Sequence, residues 1–141
     1  MAPHLDDVLN TIRHDIAIPV GFNTAGTADE EPGWRAPIAC RVTAVRFIAE
    51  TAITGDATNY ATLSLENKGT AGSGTDEVAS FAFDTPTTDD VAALDEKALT
   101  LSVTPADLVL AAGDILSIKK AVTGSGMVID GIVIVEAAPS E

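Results

Sequence analysis

From Leu108 onward the apolar and polar positions read as strand, turn, strand, turn, strand. Leu108, Val109 and Leu110 form a short apolar run, and Ala111-Ala112-Gly113-Asp114 supplies the small residues and the glycine that a reversal needs. Over residues 115–119, Leu116 and Ile118 share one face while Ile115, Ser117 and Lys119 share the other, a period of two that fits a half-buried strand. Thr123-Gly124-Ser125-Gly126 interrupts the pattern, and residues 127–135 are dominated by Val and Ile, which lose rotamer freedom in helices and pack well on a pleated surface. A central, deeply buried last strand is predicted, with Leu116, Ile118, Ile132 and Ile134 in the core.

At the other end, Leu5, Val8, Leu9 and Ile12 recur at i, i+3, i+4 and i+7, with Asp6 and Asp7 near the start of the repeat and Arg13 near its end. This predicts a short amphipathic helical arm, which needs a surface to bury its stripe: either one end of its own barrel or another chain. Ile16, Ile18 and Val20 then alternate with Ala17 and Pro19, and a proline inside the run predicts an edge strand. Residues 21–37 have no useful period and read as a long loop. Trp34, the single tryptophan, lies there beside Arg35, either as an anchor for a partner or as a cover over the chain's own sandwich.

Further along, residues 40–49 place Val45, Phe47 and Ala49 on one face and Val42, Ala44, Arg46 and Ile48 on the other. Both faces are mostly apolar, so one is expected to meet a neighbouring subunit or the arm. Residues 60–66 alternate with Ala61, Leu63 and Leu65 inward and Thr62, Ser64 and Glu66 outward. Ala79, Phe81 and Phe83 make another strand. Thr88, Asp89 and Asp90 look like a helix start, so residues 85–96 are read as a single helical turn. Leu99, Leu101 and Val103 alternate before the turn at Thr104-Pro105-Ala106-Asp107. The count is about eight strands separated by turn signals, the expectation for an all-β, antiparallel jelly-roll sandwich with a short N-terminal helical or extended arm.

The 21 acidic and 8 basic side chains give a formal charge of −13, which would repel a phosphate backbone and an anionic membrane surface, so neither nucleic acid nor membrane is expected as a partner. Cys40 is the only cysteine, so the fold must hold without an intramolecular disulfide, as for a protein made in a cytoplasm. No segment has the pattern of a secretory leader or a membrane span.

Candidate chemistry is sparse. His4 and His14 have no Asp or Cys beside them at a catalytic or zinc spacing. Ser73 and Ser125 lie in Gly-Ser-Gly, without the strand and helix context of a nucleophile elbow, and read as turn serines. Asp76-Glu77, Asp89-Asp90 and Asp95-Glu96 lack the spacing of a calcium loop and read as solvated charge. No catalytic residue, metal ligand or cofactor is expected, and the chain is not expected to be an enzyme.

The order of apolar strand, Ala-Gly-Asp, apolar strand, Gly-Ser-Gly loop and Val/Ile strand resembles the closing strands of jelly-roll domains of the tumour necrosis factor type. Together with residues 63–67 and 98–101, it is similar to the small acidic proteins that decorate the capsids of tailed phages. The resemblance implies a structural virion protein, made in the host cytoplasm, that binds the outer capsid surface as a homotrimer and stabilises the shell, with the major capsid protein and its own copies as partners. On that reading Leu5, Val8, Leu9, Ile12 and Arg13 form a capsid-binding arm, and Val42, Ala44, Arg46, Ile48 and Trp34 form a subunit interface. The chain divides into an arm, edge strand and loop (residues 1–36), a jelly-roll domain (37–138) and a tail (139–141). The alternative is a receptor- or glycan-binding module of a phage fibre or cell surface, although one Trp and one Tyr leave little platform for stacking sugars.

Overall fold

Ten strands form in the computed structural model, which describes residues 14–140. They are β1 (His14–Phe22), β2 (Asp29–Arg35), β3 (Cys40–Ala49), β4 (Tyr60–Asn67), β5 (Asp76–Ala82), β6 (Glu96–Ala98), β7 (Thr100–Leu101), β8 (Val109–Leu110), β9 (Ile115–Thr123) and β10 (Ile129–Pro139). One sheet runs β1-β10-β3-β6, with β8 also on β3, and the other runs β2-β9-β4-β5-β7. Every ladder is antiparallel and the pairing is nested: β1 with β10, β2 with β9, β3 with β8, β4 with β5. That is a long hairpin rolled on itself, the jelly-roll sandwich expected from the pattern. The strand count rises from about eight to ten because Asp29–Arg35 forms β2 and because the single strand expected around Leu99 and Leu101 is broken into β6 and β7.

Between the sheets lies one apolar core, with Val45 and Phe47 from β3, Leu63 and Leu65 from β4, Leu116 and Ile118 from β9, and Ile129, Val133 and Val135 from β10 all buried. Phe83 meets Phe47 and Phe81 edge to face at 6.2 and 5.0 Å between ring centroids, the arrangement that ring quadrupoles favour. β10 is the central strand expected, but its inward residues are Val133 and Val135; Ile134 is only half-buried on the outer face and Ile132 is 40 % exposed there. Alternation cannot tell which of two apolar faces looks inward. Here Gly131 decides locally: its φ is +149° and a Cβ would collide with the Ile48 carbonyl, so the chain lies tight on β3.

Several expectations need correction. Residues 21–37 are not a loop, because Asp29–Arg35 forms β2 on the edge of the second sheet; an edge strand pairs on one side only and so tolerates Pro32. The sandwich therefore starts at β1, not at residue 37, and β10 carries it to Pro139. Residues 85–96 form turns, not a helical turn: Asp89 accepts from the Thr85 amide, Val91 exchanges two backbone hydrogen bonds with Ile53, and residues from Glu96 enter β6. Ser64 and Glu66 on β4 are buried, although they lie on its outer face. Val103 is 95 % exposed, beyond the end of β7.

The ladders also give the molecule two ends. At the base, β1 begins, β10 ends, and residues 36–39, 68–75, 102–108 and 111–114 turn the chain. At the opposite crown lie residues 23–28, 50–59, 83–95 and 124–128.

Candidate functional site

The outer face of the first sheet carries a band of partly exposed apolar side chains. In adjacent rungs, Pro19 on β1 stands by Ile132, which stands by Ile48; Ala17 stands by Ile134, which stands by Arg46. Arg46 on this face lies between two carboxylates, 3.4 Å from Glu96 and 3.5 Å from Glu136. At its crown edge Leu94 is 81 % exposed and holds φ at +67° while its amide donates to the Ala49 carbonyl. A leucine fixed in the left-handed region and turned to water is costly. Leu94, Ile48, Gly131 and Ile132 border a shallow depression of about 170 Å³.

Of the residues expected at a subunit interface, Ala44, Arg46 and Ile48 share this face, and Val42 does not. Ala137 pairs with Val42 and Glu136 with Ala44, so Thr43 is the extra residue of a bulge that turns Val42 into the core. Trp34 stands apart on β2. A second bulge at Gly33 sets Trp34 opposite Leu116, half-buried against the core.

Trp34 forms part of a groove at the base, of about 370 Å³, with His14, Ile16, Pro37, Ile38, Cys40 and Pro139 among its walls. Ile38 is half exposed there. Burial, and secondarily the Asp114 charge, pushes the Cys40 thiol above its ordinary range. Arg35 and Arg41 flank the same end, and among the described residues neither has a carboxylate within ion-pair distance. The same end otherwise carries Lys68, Asp107 and Asp114 in its loops and Asp15, Asp76 and Glu77 at the strand ends. The crown loops carry Glu50, Asp56, Asp84, Asp89, Asp90 and Asp95 and contain no Lys or Arg, although Lys97 reaches in from β6 to 3.9 Å from Asp89. Leu5, Val8, Leu9, Ile12 and Arg13, the expected arm, and His4 lie outside the described residues.

Two polar clusters escaped the sequence reading. On the outer face of the second sheet, Glu66 accepts from Lys68 and Lys119 at 3.3 and 3.0 Å, and Lys68 also lies 2.9 Å from Glu30, which accepts from the Ser117 hydroxyl at 2.6 Å. The Ser117 hydrogen bond, followed by that of Lys68, holds the Glu30 carboxyl below its ordinary value. Glu66 is thus buried beneath lysine stems rather than in the core. The cluster satisfies its own charges, and a carboxylate held ionised beside two ammonium groups is a poor base for Ser117.

The second cluster is Lys120, fully buried with Leu116 and Ile118 on the inward face of β9. Its Nζ donates to the carbonyls of Thr24, Ala25 and Met127 at 2.7, 3.2 and 3.0 Å, tying the β1–β2 connection to the β9–β10 connection at the crown. Burial pushes its pKa below the ordinary lysine value, with the Asp29 charge opposing.

Among the described residues no group of three or more His, Cys, Asp or Glu side chains is placed to hold a metal ion, and no helix is long and apolar enough to cross a membrane. The sequence matches no family model and no curated protein.

Proposed function

We propose that this is a structural virion protein that binds the outside of an assembled tailed-phage capsid and stabilises the shell. The observation that carries the reading is the polarity of the sandwich: six carboxylates at the crown, and at the base an apolar groove beside Arg35 and Arg41. A subunit of this kind sets its base on the major capsid protein and turns its acidic crown outward, where like charge keeps particles apart. It stabilises the shell by linkage, because a molecule that binds only the assembled lattice shifts the equilibrium toward assembly. The arm residues Leu5, Val8, Leu9, Ile12 and Arg13 precede His14, which lies at the base, and are assigned to the docking end. The self-association expected of such a subunit, a homotrimer, is proposed to use the outer face of the first sheet, with Ala44, Arg46 and Ile48 joined by Ile132, Ile134 and Leu94.

The test is co-sedimentation with undecorated phage capsids and, in parallel, with host cells. Binding to capsids is expected to saturate, to protect them against heat, and to weaken when Arg35→Glu and Arg41→Glu are combined. Sedimentation with cells and not with capsids would instead identify a receptor-binding module.

A further inference from the structure

We infer that the groove at the base is the seat of this chain's own apolar stripe, Leu5, Val8, Leu9 and Ile12. Three observations lead there. The groove is walled by apolar groups, Trp34, Ile38 and Pro139 among them, and Ile38 is half exposed there. Its rim includes His14, Asp15 and Ile16, so the chain that precedes β1 arrives at the groove itself. Ile12 is two residues from His14, within about 7 Å of extended chain, and a stripe from Leu5 to Ile12 wound as a helix is about 10 Å long. A segment tethered this closely meets the groove at high effective concentration, an advantage that no separate partner has. Charge agrees, since seating the stripe would bring Asp6 and Asp7 toward the end that carries Arg35 and Arg41. The seat shields four apolar side chains from water in the free subunit. If the shell-binding reading is right, the shell competes for the same stripe; the seat itself needs no shell.

Cys40 and Trp34, each the only residue of its kind in the chain, both line the groove and serve as reporters. In the full chain, Leu5→Cys, Val8→Cys, Leu9→Cys and Ile12→Cys each put a second thiol on the stripe, while Asn10→Cys puts one on the opposite side. Under mild oxidation at least one stripe variant is expected to form a disulfide to Cys40 within a single chain, seen as a faster-migrating monomer in non-reducing electrophoresis, and Asn10→Cys is not. Independently, Leu9→Asp should shift Trp34 emission to the red and increase its quenching by acrylamide. No intramolecular cross-link from any stripe position, equal cross-linking from Asn10→Cys, or cross-links only between two chains would overturn the proposal. So would Trp34 emission and quenching that do not change in Leu9→Asp. Capsids are absent from every arm of this test, so its failure leaves the co-sedimentation result to be judged separately.

Discussion

Lys120 sits in the middle of an inward apolar row, and its environment decides what its loss would do. All three donors of the ammonium are used on backbone carbonyls. Lys120→Met keeps the length of the stem but leaves those carbonyls without the donor, so a destabilisation of about 1 to 3 kcal/mol is expected in a urea titration, with faster amide exchange in both crown connections. No sequence pattern marks this lysine, because alternation identifies its face and its charge argues against that face. Glu30 gives a pH signature instead. Its carboxyl is depressed below the ordinary 4.5, first by Ser117 and then by Lys68, so the folded chain binds fewer protons there than the unfolded one. Its contribution is complete above the unfolded value and is lost as pH falls through the lowered folded value. Glu30→Gln should therefore flatten the acid-side fall of Tm between about pH 5 and pH 3, measured by thermal melts across that range.

Elements with a strong period were legible, and elements shaped by their neighbours were not. β3 was read with its observed bounds because residues 40–49 contain no turn former, and the reversal before β9 was read from Gly113-Asp114, where Asp114 accepts from the Ala111 amide and from Asn67. β2 was not, since Asp29-Glu30-Glu31-Pro32-Gly33 is poor strand sequence and becomes a strand only because β9 offers a ladder. The faces of β10 and the break in β3 at Thr43 were lost for a related reason: where both faces are apolar, a bulge or a sheet partner fixes the choice. The base groove drew on residues 14–16, 34–40 and 137–139, which only the nested pairing brings together. The reassigned faces change a mutational expectation. Ile118→Ala removes a fully packed side chain and should cost about 2 to 5 kcal/mol. Ile132→Ala, on the outer face, should cost less than about 1 kcal/mol. Equal losses in chemical denaturation would show that the first sheet has been turned inside out.

For the whole molecule, the balance between a formal charge of −13 and one largely apolar sheet face sets how copies can meet. Any approach of two subunits brings like net charge together, a repulsion that salt screens over a Debye length of about 10 Å at 0.1 M. The face of Ile48, Ile132 and Ile134 gains by leaving water, and that gain does not depend on screening. Three strands of about 30 Å at spacings of about 4.8 Å offer a surface of roughly 400 Å², about half of one side of a standard interface. Association through this face should strengthen as salt rises from about 20 to about 150 mM, with the midpoint of the proposed self-association in sedimentation or light scattering moving to lower protein concentration. Ile132→Lys places a charge at the centre of the face without touching the core, so it should abolish the proposed self-association while leaving the thermal melt of the subunit close to that of the parent. An association that weakens with salt, or that survives Ile132→Lys, would mean that ion pairs elsewhere hold the copies together and that the outer face of the first sheet serves another purpose.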